Sequence, residues 1–303
     1  MKKAEIQERV TQEIIEALET HNSLWSKEWT GGMPASADTK KPYNGINLLI
    51  LSIKAMVKGY KSNYWITMNQ CNKLGGRINK GEKSTLVTYY SPIKFENKEE
   101  GTEKTVPLLK SYLVWNIEQT SLKDHEKFKL EENKEIDKTL CSKEIDLLLH
   151  EANLDVPINH IRQGRAYYTP SLDTITMPEV TQFSNYHAYY STVLHELTHS
   201  TGHKKRLDRD LKNSFGSNEY AFEELVAEIS TMFLLKHYSI DNSSIKDNNL
   251  SYIKSWLKKL KSDNSFIFKA SSLAGKSFNF ITEKYGKEAK KEYVKKEKEL
   301  VTV

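Results

Sequence analysis

The sequence predicts an α+β protein in two parts: a small α+β domain, then a mainly helical domain carrying an edge strand or hairpin. Three observations lead there. Apolar residues recur at helical spacing near the start, alternate with polar ones in two runs between residues 85 and 117, and return to helical spacing after residue 190. Between the parts, SLKDHEKFKLEENKEIDKTL is rich in lysine and glutamate and poor in apolar residues, as a linker would be. The expected division is therefore 1–120, a linker over 121–140, and 141–303, and 303 residues suffice for two cores.

In chain order, Ile6, Val10, Ile14, Ile15 and Leu18 predict an amphipathic helix over 4–20. GGMPASADTKKPYNG is rich in turn residues and reads as a loop, followed by the apolar helix INLLILSIKAMVKGY, which Gly59 can end. Trp65 to Leu74 resembles another short helix. TLVTYYSPIKF alternates as a strand, and LLKSYLVWNI reads as its antiparallel partner across the polar turn FENKEEGTEK. RAYYTPSLDTITMPEV reads as a short hairpin or extended edge with Pro170 and Asp173 in the turn. TVLHELTHSTGH and YAFEELVAEISTMFLLKHY follow as helices, and KEAKKEYVKKEKEL as a solvated one.

Composition excludes several classes. With 38% hydrophobic and 28% charged residues, no apolar run approaches the roughly 18 residues of a membrane span. The N-terminal stretch carries five glutamates where a signal peptide needs an unbroken apolar segment, so a cytoplasmic location is expected. Cys71 and Cys141 stand far apart, which points to neither a disulfide framework nor a cysteine zinc site.

Charge is segregated along the chain. From Lys40 to Phe95 there are ten Lys or Arg against the single acid Glu82. Aromatics interleave with this basic segment and flank it: Trp25, Trp29, Tyr43, Tyr64, Trp65, Tyr89, Tyr90, Tyr112 and Trp115. Lysines that follow phosphates and rings that stack on unpaired bases are the chemistry of single-stranded nucleic acid binding. The competing reading makes most of these rings core, since Trp65, Tyr89 and Trp115 lie in apolar runs. In GGRINKGEKS, glycines let the backbone approach a phosphate between Arg77, Lys80 and Lys83, although the order of a nucleotide-hydrolysing P-loop is missing.

The sharpest chemistry lies in HELTHSTGH. On a helix, His195 and His199 fall one turn apart on one face and can share a Zn²⁺ or another divalent ion. Glu196 is placed to take a proton from water on that metal. The third ligand is open at this level. A metzincin would have histidine where Lys205 stands, and His203 falls just beyond the helix end as an alternative ligand. On the next helix Glu223, Glu224 and Glu228 interrupt an apolar face, where a carboxylate needs a partner or a metal. Glu224 and Glu228, one turn apart, read as a ligand and the neighbour that accepts a hydrogen bond from a ligand histidine.

Taken together, KPYNGINLLIL, YWITMNQCNKLGGRINKGEKSTLVTYY and LLKSYLVWNIEQT resemble the single-stranded-DNA-binding domain of ArdC-type antirestriction proteins. HELTHSTGHKKRLDRD, FGSNEYAFEELVAEIS and SYIKSWLKKLKSDNSFIFKASSLA are similar to the zincin-like metallopeptidase domain that follows it there. The resemblance implies a mobile-element protein that binds single-stranded DNA and shields incoming DNA from restriction. It also implies a metal site of His195, His199 and a glutamate of the EELVAE helix, with Glu196 catalytic. The leading candidates for DNA contact are Tyr43, Asn44, Trp65, Arg77, Lys80 and Lys83. Two other readings stay open: a metalloprotease directed by DNA to proteins bound or crosslinked there, and a DNA-binding protein with a purely structural metal.

Overall fold

The computed structural model describes residues 1–20, 32–97, 102–128, 138–211, 218–240 and 250–301. Trp25, Trp29, the middle of the strand turn and part of the expected linker lie outside them. Contacts divide the chain into two units, the first made of Met1–Asn22, Met33–Leu130 and Lys259–Phe268, the second chiefly of Glu131–Lys258 and Lys269–Val303. The α+β class expected from the sequence is the one observed.

The first unit opens with α1 (Lys3–Thr20), whose expected stripe Ile6, Val10, Ile14, Ile15 and Leu18 is buried. After β1 (Ala35–Ser36) comes α2 (Gly45–Lys58), apolar on most sides and buried from Leu48 to Ile53. Asn44 caps its start through the Gly45 N–H. Gly59 ends it at φ 70°, a conformation that costs glycine nothing. β2 (Tyr64–Ile66) and α3 (Met68–Lys73) then replace the helix expected over Trp65–Leu74. The physical reason is Thr67, which starts the helix only at Met68 through a capping box with Gln70. The aromatic and β-branched residues before it pair instead, parallel to β1 and antiparallel to the last strand.

β3 (Thr85–Asn97) and β4 (Thr102–Asn116) form the expected antiparallel pair, with Thr85 opposite Val114 and Asn97 opposite Thr102. The sheet order is β1-β2-β4-β3. Ile66, Cys71, Ile117, Leu122 and Phe128 close a small core against α3.

The second unit begins with α4 (Lys138–Asp155) and a three-stranded sheet of β5 (Ile158–Ile161), β6 (Tyr167–Thr169) and β7 (Thr174–Pro178). β6 and β7 are the expected hairpin, with Asp173 at φ 53° in its turn. β5 adds to the other side of β7 in parallel, so β7 is central and β5 and β6 are the edges. α5 (Tyr186–Ser200) and α6 (Asn218–His237) pack on one another, followed by α7 (Leu250–Ser262) and α8 (Phe266–Val301). Val193, Leu194, Leu197, Leu234, Ile281 and Met177 lie in one core that joins α5, α6, α8 and β7. Among the described residues no helix is long and apolar enough to cross a membrane.

Candidate metal centre

Asn185 starts α5 by accepting the Ala188 N–H, and the helix ends at Ser200. Leu194 and Leu197 go into the core from this stretch, which leaves His195 and His199 together on the face towards α6. Their Nε2 atoms are 3.1 Å apart. Glu224 of α6 completes the group, with one carboxylate oxygen 3.6 Å from His195 Nε2 and the other 3.5 Å from His199 Nε2.

These separations test whether the residues fit a metal. Donors about 2.1 Å from one tetrahedral ion stand about 3.4 Å from each other. The two imidazole nitrogens at 3.1 Å, with one Glu224 oxygen 3.6 Å from the first and the other 3.5 Å from the second, come near that spacing, and three such ligands leave a fourth position open. Among the described residues, it is the group of three His, Cys, Asp or Glu side chains arranged to hold an ion.

The electrostatics agree. Burial pushes the His195 imidazole towards neutrality, yet the hydrogen bond it donates to Glu224 and the charges of Glu228 and Glu196 raise its pKa to about 10. Glu224 is pushed up by burial but pulled to about 2 by His195, His199 and a hydrogen bond from Tyr220. A potential that negative holds a cation in the same place that it would hold a proton. Glu196 sits beside His195 on α5 and is buried.

Each histidine turns its other nitrogen to a second carboxylate. His195 Nδ1 lies 3.7 Å from Glu228, too far for the hydrogen bond expected of that residue but close enough for its charge to act on the ring. His199 Nδ1 lies 3.3 Å from Glu223. Glu223 is gripped by Arg209, whose Nη2 and Nε donate at 2.6 and 3.0 Å. Arg209 in turn donates to Thr201, Ser277 and the Thr198 carbonyl, so one nearly buried guanidinium ties α5, α6 and α8 together. The sequence marked Glu223 as an acid on an apolar face without giving it a role, and Arg209 was missed. The available signal was that a buried carboxylate needs a partner.

His203, the alternative ligand, lies elsewhere. The chain turns after Ser200, and His203 Nδ1 sits 3.5 Å from Asp173 while accepting the Lys205 N–H. Asp173 belongs to a separate buried network with Arg206 and Tyr168, and Arg206 also donates to the Ser200 carbonyl.

The candidates for DNA contact divide. Arg77, Lys80 and Lys83 are exposed on the loop after α3. Its glycines serve the turn itself: Gly75 and Gly81 have φ of 73° and 88°, and Gly76 presses on Leu122. Asn44 is the exposed cap of α2, and Tyr43 is partly buried beside Tyr112. Trp65 requires correction: it is 0% exposed, set edge-on against Tyr60, and offers no face to a base. Trp115 is buried as well, as its apolar run implied, whereas Tyr89 is exposed against that expectation.

The comparisons with known proteins match both units. Residues 4–115 match the family described as the N-terminal domain of anti-restriction factor ArdC, and residues 144–273 match a zincin-like metallopeptidase family. The crystal structure of the antirestriction protein ArdC from plasmid R388, metal-free, superposes with a TM-score of 0.77 at 36% identity, over 93% of this chain and 98% of that one. The Mn(II)-bound structure of the same protein gives 0.75 at 35% identity, over 92% and 97%. Protein y4eC of Sinorhizobium fredii (strain NBRC 101917 / NGR234) is 33% identical over 89% of each chain. Two DNA primases TraC of Escherichia coli are 34% and 32% identical over 90% of this chain, which spans only 27% and 20% of their length. A shared fold at this identity, over nearly the full length of both chains, places the protein in the ArdC family of antirestriction proteins, with a zincin-like second domain.

Proposed function

We propose that this chain is an antirestriction protein whose first unit binds single-stranded DNA and whose second unit is a zinc-dependent peptidase. The observation that carries the peptidase reading is the convergence of His195, His199 and Glu224 beside Glu196. His195, His199 and Glu224 would hold a divalent ion, which would supply a Lewis acid for a peptide carbonyl and lower the pKa of water towards neutrality. Glu196 takes the proton of the attacking water on its carboxylate and returns it to the leaving amine. His195 and His199 would turn their Nε2 lone pairs to the ion, since Glu228 and Glu223 face their Nδ1 atoms. Two imidazoles and one carboxylate suit zinc, and the Mn(II) found in the R388 relative shows that another divalent ion is accepted by that protein.

The DNA reading draws on the exposed cations Arg77, Lys80 and Lys83 in a segment with ten bases and one acid. Phosphate contacts by these side chains make binding strongly salt-dependent. Both halves can be tested together. Glu196→Gln retains the metal and loses antirestriction activity in a transformation assay with restricted DNA; unchanged protection would sink the peptidase half. Replacing all three cations by glutamine weakens binding to a labelled oligo(dT) and lowers the slope against log salt by about 2. An unaltered slope would remove that loop from the DNA surface.

A further inference from the structure

Tyr89 and Tyr112 lie on one face of the β3/β4 pair. In the register, Tyr89 faces Lys110, Val87 faces Tyr112 and Ser91 faces Leu108. Because side chains alternate along a strand, Leu108, Lys110 and Tyr112 share the face of Tyr89, and Tyr90 points to the other. Tyr89 is 44% exposed and Tyr112 36%, with Leu108 also open to solvent. The two rings meet edge to face, 5.8 Å between centroids at 61°, so neither covers the other.

This face is firmly mounted. Tyr43 lies beside Tyr112. Asn47 of α2 donates to the Thr88 carbonyl at 2.6 Å and accepts the Thr88 N–H at 2.8 Å, which pins β3 next to Tyr89. Rings held in place lose little freedom when a ligand lands on them. Exposed rings set edge to face, each with a free face and flanked by a cation, match what unpaired bases need.

We propose that unpaired bases of a DNA strand stack on Tyr89 and Tyr112, with Lys110 meeting the phosphate between them. The proposal builds on the single-stranded-DNA reading above and moves its stacking surface from Trp65, which is buried, to the β3/β4 face. Charge favours a nucleic acid as the occupant over a protein, because Lys110 is the one charged residue among the described side chains of this face and the segment around β3 is strongly basic. Duplex DNA does not fit, since its bases already stack on each other. Recognition through rings alone tolerates any base sequence.

The test uses the full chain, a labelled oligo(dT), and an abasic oligonucleotide of equal length. The wild type binds oligo(dT) more tightly than the abasic strand. Tyr89→Leu and Tyr112→Leu each weaken oligo(dT) binding about tenfold and leave the abasic strand unaffected. Tyr89→Phe and Tyr112→Phe keep the ring and keep the affinity, which separates stacking from misfolding. Tyr90→Leu, on the opposite face, changes neither. Full oligo(dT) affinity in both leucine variants, or an equal loss in Tyr90→Leu, would overturn the proposal. So would a wild type that binds both strands equally, although binding through charge would then survive. A wild type that binds neither strand refutes the single-stranded-DNA reading itself. A dimer in sedimentation that Tyr89→Leu abolishes while oligo(dT) binding persists assigns the face to a second copy instead.

Discussion

Arg209 holds Glu223 by two nitrogens, and Glu223 in turn faces Nδ1 of His199. This relationship makes His199 the better braced of the two histidines, because Glu228 stands 3.7 Å from His195 and Glu223 only 3.3 Å from His199.

Glu223→Gln is accordingly expected to lower affinity for Mn(II) or Zn(II) by about 10- to 100-fold in titration calorimetry, the usual effect of losing a carboxylate behind a ligand histidine. Glu228→Gln has a smaller effect. A shifted visible spectrum of the Co(II)-loaded Glu223→Gln protein reports altered ligand geometry, which a mere loss of stability does not produce. Equal effects of the two substitutions would refute the asymmetry.

Removing the positive end of the same pair leaves a buried carboxylate without its main partner. Arg209→Met is expected to destabilise the metal-free protein by about 3 kcal/mol, read from urea unfolding of the full chain. A loss below about 1 kcal/mol would mean that Thr198, Thr201 and Ser277 hold the three helices without it.

Metal content tests the ligand set directly. His195→Ala, His199→Ala and Glu224→Ala each abolish stoichiometric binding, whereas His203→Ala keeps it, because His203 is turned to Asp173. Loss of metal in His203→Ala with retention in Glu224→Ala reverses the assignment.

Acid should weaken the second unit. Burial pushes the Asp173 and Asp155 carboxyls up, but Arg206 and Tyr168 at the first, and Lys284 and Tyr285 at the second, outweigh it and leave both below the usual range. A depressed carboxyl stabilises the fold fully above its unfolded pKa of about 3.9, and that contribution vanishes as pH falls through the lower folded value. The melting temperature of the metal-free protein therefore stays level towards pH 5 and drops below about pH 4. Asp155→Asn shallows that drop; an identical acid limb would show that Asp155 contributes nothing.

Two adjacent glycines separate space from backbone strain. A Cβ on Gly76 would stand 2.4 Å from Cγ of Leu122, a branched carbon near the root of its side chain. Gly76→Ala is expected to cost about 1–3 kcal/mol by overpacking. A Cβ on Gly75 meets nothing within 4 Å, but φ is 73°, so Gly75→Ala costs about 1 kcal/mol. Denaturant midpoints of the two variants give the order directly.

Much of this was legible in the sequence where a local pattern carries the information. The periodicity of α1, the alternation of β3 and β4, the Pro170–Asp173 turn and the one-turn spacing of His195 and His199 are all local. The burial cost of a carboxylate was enough to mark Glu224. Trp65 was misplaced because the Thr67–Gln70 cap sets the helix start three residues after Trp65, and because an aromatic residue in a basic segment looks the same buried or exposed. Arg209 was not singled out, since the burial of Glu223 calls for a partner without naming it, and the other groups that Arg209 joins lie 8 to 68 residues away.

The crowding of Glu223, Glu224 and Glu228 on a single helix, against two imidazoles on another, has a consequence for handling the protein. With the site empty, the raised pKa of His195 lets a proton stand in for the ion beside Glu224, and Arg209 offsets Glu223. A bound divalent ion would replace that proton and fasten α5 to α6 through His195, His199 and Glu224. A chelator added to a preparation therefore acts on this unit as a mild denaturant, and storage buffers containing one will shorten its working life.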